Sequence, residues 1–264
     1  MILLRRTPAL LLTATLAACG GGGEPDWSAR GSGTGASAGI RLEPTAPGSL
    51  TRFVVGTVRL AGEPPPRLPL RALTRTAGCG EHPEHPLAED VVVGEGGVLR
   101  DVVVSLRRIP DGVVAPPAGR EARGSIDQRD CRFDPRVQAI RAGGSVEVHN
   151  SDPISHVVNM HGNRTGGVNA TMGAGGEPIT LAFPRPDRAR ITCDLHPWME
   201  AFVVAVDHPW FEVTGEDGQF DLTGLPGGEL ELLAWHPVLG ELRSREFVLE
   251  SGTGMVAEIT FSLE

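Results

Sequence analysis

One short segment of the chain concentrates side chains that bind soft metal ions. Cys193, His196 and Met199 follow one another at intervals of three residues, directly before the apolar run Ala201–Val206. A tight loop at a strand end points such side chains at one spot, and His156 lies upstream after another strand-like run. Two imidazoles, one thiolate and a weakly bound thioether are the ligand set of a blue-copper electron-transfer centre.

The two motifs in this order resemble the cupredoxins. The loop Cys193–Met199 is similar to the ligand loop of the amicyanin type, and the stretch Phe133–His156 is similar to the first half of a plastocyanin-type domain. The resemblance covers about residues 120–206. It implies one type 1 copper ion with three ligands in a trigonal plane and one axial ligand, in the order His156, Cys193, His196 and axial Met199.

Two residues depart from the family pattern beside the ligands. Val157 follows the first histidine where these families usually have Asn, and Asp194 follows the cysteine where a small hydroxyl residue is common. Both positions help to hold the ligand loops together, so different hydrogen bonds are expected around this centre. The resemblance also implies that an exposed edge of His196 is the electron port, in an apolar patch where a redox protein such as a c-type cytochrome docks transiently.

The ligand set favours electron transfer over catalysis. Pro197 and Trp198 shorten and cover the loop, which leaves no open position for a substrate, so we expect no enzyme activity. Three alternatives stay open: a copper storage or delivery protein, an envelope scaffold with a degenerate site, and a subunit of a copper oxidase or nitrite reductase. Zinc is less expected than copper because a thioether adds nothing for zinc.

Other histidines and methionines are weaker candidates. His161 and Met172 replace a ligand only if the predicted register is wrong, and His149 is assigned to its strand. The remaining candidates are predicted to pack or to cap strands: His208, Trp235 and His236.

The N-terminus has the features of an exported lipoprotein. An apolar stretch too short to span a bilayer follows two arginines, so residues 1–18 are predicted to be a signal peptide. The tetrapeptide Leu16–Cys19 resembles a lipobox, which implies acylation of Cys19 and attachment to a bacterial membrane facing the periplasm. Residues 19–51, rich in Gly, Ser and Pro, are predicted to be a flexible linker.

Two cysteines remain, Cys79 and Cys131. In an exported chain this pair predicts a disulfide. The alternative is a second metal site at Cys79, His82 and His85, for which the sequence offers no persuasive fourth ligand.

Composition bounds the fold class and the partners. The chain has 264 residues with 35 Gly and 22 Pro, which argues against helical bundles, while 40% hydrophobic residues argue against a disordered chain. Short β-branched runs such as Val91–Val93, Val102–Leu106 and Val146–Val148 predict an all-β fold of sandwiches. A net charge of -9 without a basic run excludes the usual electrostatic footprint of a nucleic-acid-binding protein.

The domain layout follows from a second resemblance. Strand and turn motifs in residues 207–264 are similar to the carboxypeptidase regulatory-like domain, a small transthyretin-like or Ig-like sandwich without peptidase residues. Residues 52–119 and 207–264 are therefore predicted to form an outer β-sandwich, into which a Greek-key cupredoxin of residues 120–206 is inserted. The competing layout is an elaborated cupredoxin of residues 52–206 followed by an appended β unit of residues 207–264.

Overall fold

The part of the chain that the structure describes is almost entirely β and has four sheets. The computed structural model describes residues 38–45, 48, 51–79 and 86–263. The predicted all-β sandwich class is confirmed.

Most elements of the described chain are strands, joined by short turns. The strands are β1 (Gly39–Pro44), β2 (Phe53–Ala61), β3 (Val103–Arg108), β4 (Arg123–Arg129), β5 (Arg132–Asp134), β6 (Val137–Arg141), β7 (Gly144–Asn150), β8 (His156–Gly162), β9 (Gly167–Met172), β10 (Ile179–Phe183), β11 (Asp187–Thr192), β12 (Glu200–Val206), β13 (Phe211–Val213), β14 (Gln219–Thr223), β15 (Gly228–His236), β16 (Gly240–Arg243), β17 (Phe247–Leu249) and β18 (Gly254–Ser262). Single 3₁₀ turns lie at Leu73–Arg75, Glu95–Gly97 and Arg120–Ala122.

The two ends of the described chain build one sandwich, which we call the outer sandwich. Its sheets have the orders β1-β18-β2-β14 and β13-β3-β15-β16, and β17 pairs with β15. Their facing sides bury one apolar core that includes Val58, Leu106, Leu230 and Phe261. Since β3 pairs with both β13 and β15, strands from before and after the central part of the chain share a sheet.

The central part of the chain forms a second sandwich, which we call the ligand sandwich because it carries the predicted metal ligands. Its sheets have the orders β10-β7-β4-β5 and β6-β12-β11-β8-β9. Each sheet mixes antiparallel pairs with one parallel pair, β4 with β7 and β6 with β12. Its core is separate from that of the outer sandwich and includes Ile126, Val148, Phe183 and Ile191.

Strand β12 explains how the two sandwiches adhere. Ala201, Val203 and Ala205 face the core of the ligand sandwich, whereas Phe202 and Val204 face a small cluster that also contains Val103 and Trp235 from the outer sandwich. A strand buried on both faces reads as a continuous apolar run, as β12 does. The rings of Phe202 and Trp235 meet edge to face with centroids 5.9 Å apart.

Two predicted boundaries are wrong. Gly39–Pro44 of the predicted linker is strand β1, which pairs with β18 because Ile40 and Leu42 pack on the outer core. Leu73 and Cys79, assigned to the outer sandwich, lie instead in the core of the ligand sandwich. The physical reason is the disulfide from Cys79 to Cys131, which holds this segment there.

Several predictions from the sequence fall on residues outside the described part of the chain. They concern the signal peptide of residues 1–18, the acylated Cys19 and the alternative metal site with His82 and His85. Among the residues that the structure does describe, no helix has the length and apolar character needed to cross a membrane.

Candidate metal centre

Pairing of β8 with β11 brings the two halves of the predicted site together. The strands run antiparallel with Asn159 opposite Thr192. The first residue of β8 and the residue after β11 therefore lie at the same end of this strand pair. These residues are His156 and Cys193. His196 follows in the loop between β11 and β12, and successive backbone hydrogen bonds tighten this loop.

Three donor atoms converge in a buried cluster. The Sγ atom of Cys193 lies 3.8 Å from Nδ1 of His156 and 3.6 Å from Nδ1 of His196. The two Nδ1 atoms are 2.9 Å apart. His156 is 0%, Cys193 3% and His196 6% exposed, so water has little access to the donors.

The spacing of these atoms fits a shared metal ion. Bond lengths of about 2.0 Å to nitrogen and about 2.3 Å to thiolate sulfur separate donors in a trigonal plane by about 3.7 Å from N to S and about 3.5 Å from N to N. Both observed S to N distances match these values. The observed N to N distance of 2.9 Å is shorter, so the two imidazole nitrogens would have to move apart on metal binding. A trigonal set of two imidazoles and one thiolate is the donor chemistry of blue-copper sites.

Asp152 fixes the orientation of His156. Its Oδ2 atom accepts a hydrogen bond from Nε2 of His156 at 2.8 Å, and the carboxylate is itself buried. With the proton on Nε2, the lone pair of Nδ1 is directed at the cluster, which is how a carboxylate prepares a histidine to bind metal. Burial lowers the pKa of His156, but its hydrogen bonds to Cys193 and Asp152 outweigh burial and raise the pKa above the usual value.

The environment of Cys193 favours the thiolate, which is the form that binds metal. Burial raises the pKa of this thiol, but hydrogen bonds from the doubly protonated ring of His156, whose Nδ1 proton a bound metal would replace, and from backbone amides, Val157 first, bring the pKa below its ordinary value. The amide of Val157 lies 3.4 Å from Sγ. For His196, burial and the neighbouring His156 lower the pKa, which favours the neutral ring that a metal requires.

Side chains of two neighbouring strands hold the ligand loop at Asp194, one of the two departures noted in the sequence. The carboxylate of Asp194 accepts hydrogen bonds from Nδ2 of Asn159 at 2.7 Å and from Nδ2 of Asn169 at 2.9 Å. These asparagines lie on β8 and β9, so one acid ties the residue after Cys193 to two strands. The two departures noted in the sequence therefore leave the loop anchored, through Asp194 and through the backbone of Val157.

Met199 closes the ligand loop through its backbone. Its amide donates to the carbonyl of His196 at 2.9 Å, and its carbonyl accepts from the amide of Cys193 at 3.3 Å. Its side chain is buried in the core of the ligand sandwich. Axial coordination by Met199 stays a prediction.

The weaker candidates lie elsewhere or have structural partners. His161 is exposed further along β8, and Met172 faces His156 across the sheet with its Sδ atom accepting from Gln128 at 3.2 Å. His149 lies on β7 beside Glu147, as a strand residue. The predicted packing residues pack within or against the outer sandwich: His208, Trp235 and His236.

The predicted open port at His196 is wrong. The sulfur atoms of Cys79 and Cys131 and a ring nitrogen of His196 all lie within 4.8 Å of one another, so the disulfide covers this ring. Trp198 packs on the ring as well, with centroids 5.1 Å apart. Cys79 lies outside both ligand motifs. The sequence therefore does not predict that its segment packs beside His196.

Sequence reasoning also missed the residues that support the ligands. Asp152 precedes His156 by four residues, and a carboxylate so close in sequence to a predicted histidine ligand could have indicated this contact. Asn159 and Asn169 gave no signal, because only the pairing of β8 with β9 and β11 directs them at Asp194.

Comparisons with known proteins give partial similarities in fold. No family model and no curated protein matches the chain. Among solved structures, a methionine-to-alanine mutant of amicyanin in the Cu(I) form has a TM-score of 0.29 and 16% identity, covering 39% of this chain and 98% of that one. A purple cupredoxin from Nitrosopumilus maritimus has a TM-score of 0.28 and 17% identity, covering 31% of this chain and 99% of that one.

A third similar structure is larger. The copper-containing nitrite reductase from Thermus scotoductus has a TM-score of 0.28 and 18% identity, covering 38% of this chain but only 25% of that one. Each of these three similarities covers only part of this chain.

Proposed function

We propose that the ligand sandwich binds one copper ion in a type 1 site and that the protein transfers single electrons between redox partners. The supporting observation is the convergence of two Nδ1 atoms and one thiol sulfur in a buried cluster. Copper bound there would supply a one-electron couple between Cu(I) and Cu(II), for which thiolate and imidazole are a compromise ligand set.

The protein's own residues prepare this site by holding donors rather than by offering a substrate position. Asp152 keeps the proton of His156 on Nε2, which leaves the lone pair of Nδ1 for the metal, and the amide of Val157 stabilises the thiolate of Cys193. Burial excludes water from all three donors. A site held rigidly in this way changes little between oxidation states, which favours electron transfer over reversible metal delivery.

We place partner docking at the ligand loop. Because His196 is nearly buried, Trp198, which packs on its ring and is itself partly exposed, is the surface contact of this proposal. Leu195, 54% exposed in the same loop, adds an apolar side chain. A small redox protein such as a c-type cytochrome that docks transiently there is the partner of this proposal.

Metal analysis with an optical spectrum tests the copper site. Wild-type protein loaded with copper is expected to bind about one ion per chain with an intense thiolate-to-copper charge-transfer band, and Cys193→Ser is expected to bind almost none. His149→Gln is the matched control, since it removes an imidazole of the same sandwich outside the cluster, and it should keep both copper and colour. Equal copper in the wild type and Cys193→Ser would reject the site, and a colourless protein that yields copper to a mild chelator would favour storage or delivery.

Export and lipid anchoring belong to the same proposal and rest on the sequence of residues 1–19. Mass spectrometry of the native protein from bacterial membranes is expected to find a diacylglyceryl group on Cys19 and no signal peptide. Cys19→Ala is expected to abolish the modification. An unmodified wild-type N-terminus would remove the anchor from the proposal and leave the copper site untouched.

A further inference from the structure

Cys131 contacts the metal centre from outside the ligand set. It is fully buried in the turn between β4 and β5, where its φ of 53° and that of Asp130, also 53°, are uncommon for residues other than glycine. The disulfide to Cys79 holds this turn from one side. Unusual backbone conformations of this kind persist where surrounding contacts enforce them, and they cluster at functional sites.

The backbone amide of Cys131 reaches the first histidine through a carboxylate. The amide donates to Oδ2 of Asp152 at 2.9 Å, and the same oxygen accepts from Nε2 of His156 at 2.8 Å. The backbone amide of Asp152 in turn donates to Oδ1 of Asn150 at 3.0 Å. Cys131 thereby helps to set the position and the hydrogen-bonding strength of the carboxylate that orients His156.

The carbonyl and the sulfur of Cys131 reach the second histidine. The carbonyl accepts from Nε1 of Trp198 at 2.9 Å, and the indole of Trp198 packs on the ring of His196. The disulfide sulfurs lie within 4.8 Å of a ring nitrogen of His196. One residue therefore contacts the supports of both imidazoles, although Cys131 and Trp198 are separated by 67 positions in the chain.

We propose that Cys131, fixed by its disulfide to Cys79, is a positioning residue for both histidine ligands, so that the disulfide tunes the copper centre as well as stabilising the fold. This inference rests on the proposed function. Reduction by a dithiol breaks the S–S bond, gives two cysteine thiols and converts the dithiol to its own disulfide. The turn at Cys131 is then released, and Asp152 and Trp198 lose the group that holds them.

The test compares copper-loaded wild type, the double variant Cys79→Ala/Cys131→Ala, Asp152→Asn and the triple variant. The measurements are the reduction potential, the charge-transfer spectrum and the copper dissociation rate. We expect the double variant to shift the potential and the spectrum and to release copper at least about tenfold faster, as for other lost supports of metal ligands. Val148→Ala is the matched control, because it weakens the same core without touching these contacts.

Non-additive effects of the variants on the rate of copper release would show that the disulfide acts through Asp152. If the disulfide acts through Asp152, removing it from Asp152→Asn changes copper release by a smaller factor than removing it from the wild type. An unchanged potential and release rate in the folded double variant, or an effect equal to that of Val148→Ala, would overturn the inference. Should the double variant not fold, metal-free wild type is reduced with dithiothreitol, separated from the reagent without air and then loaded with copper, and its copper release is compared with that of untreated protein loaded in the same way.

A copper-free measurement separates this inference from the proposed function. Heteronuclear NMR of metal-free protein reports the Nε2–H of His156 directly, and we expect its signal to move on reduction of the disulfide. If the wild type binds no copper but this signal moves, the proposed function fails and the link from Cys131 to His156 stands. If copper binds as proposed and the signal stays fixed, the link fails alone.

Discussion

His156 in the ligand sandwich and His236 in the outer sandwich are both 0% exposed, yet their surroundings are opposite. His156 faces a carboxylate, a thiol and a second imidazole. His236 accepts two backbone amides at Nδ1, and its Nε2 atom has no hydrogen-bond partner among the described residues. Burial therefore lowers the pKa of His236 to about 3, whereas polar partners overcome burial at His156.

The comparison shows that burial alone does not make a histidine a ligand. A buried imidazole without an acidic partner stays neutral in an apolar core. A buried imidazole with its second nitrogen held by a carboxylate presents a lone pair in a fixed direction. Both units are sandwiches of two sheets. They differ in that the ligand sandwich gathers a thiol, two imidazoles and a carboxylate at one end of its strands.

The largest expected difference between the sandwiches concerns the disulfide. Cys79→Ala/Cys131→Ala opens a 52-residue loop, which is expected to lower the free energy of unfolding of the ligand sandwich by about 4 kcal/mol. Backbone hydrogen exchange is expected to accelerate in β8 and to stay unchanged in β2, since the two strands belong to separate cores. Equal acceleration in both strands would show that the sandwiches unfold as one unit.

The reverse experiment weakens the outer sandwich. Leu230→Ala removes a fully buried side chain from its core and is expected to cost about 3 kcal/mol of unfolding free energy. Copper content and the charge-transfer band are expected to stay at wild-type levels, because Leu230 lies in a different core from the ligands. Leu181→Ala is the matched substitution in the ligand sandwich. Loss of copper from Leu230→Ala would contradict the independence of the two cores.

A pH series tests the unpartnered histidine. The unfolded chain binds a proton at His236 below a pKa of about 6.5, whereas the folded chain does so only below about 3. Stability of the outer sandwich is thus expected to fall as the pH drops from about 6.5 toward 3, by up to about 1.4 kcal/mol per pH unit from this residue. His236→Gln should flatten that slope in denaturant unfolding curves. Part of the slope should remain, because burial also lowers the pKa of His208.

The smallest expected effect is at the edge of the ligand loop. Asp194→Ala removes the acceptor shared by Asn159 and Asn169, so copper is expected to dissociate up to about tenfold faster while the unfolding transition stays where it is. Stopped-flow transfer of copper to a chelator measures this rate. Glu147→Ala removes an equal charge from the same sandwich and should leave the rate unchanged, and an equal acceleration in that control would point to net charge instead of the loop anchor.

Much of the architecture could be predicted from residue patterns, but not all of it. Apolar β-branched runs indicated β7 and β12, whereas Val91–Val93 is not a strand and forms only an isolated bridge. Strand β11 is not among the apolar runs, because its buried face carries only two apolar side chains, Ala189 and Ile191, beside Asp187, whose carboxylate accepts hydrogen bonds from backbone amides. So few apolar residues give a weak signal, and such predictions depend on the apolar pattern.

The sequence by itself determined the all-β class and the kinds of donor available, because turn residues, β-branched runs and the spacing of Cys193, His196 and Met199 are local properties of the chain. Only the tertiary structure decided that Asp152 orients His156, that Asp194 joins two strands and that a disulfide covers His196. These contacts depend on strand register and on segments far apart in the chain, such as Cys79 and His196. A residue pattern read locally carries no information about which distant groups a sheet will place side by side.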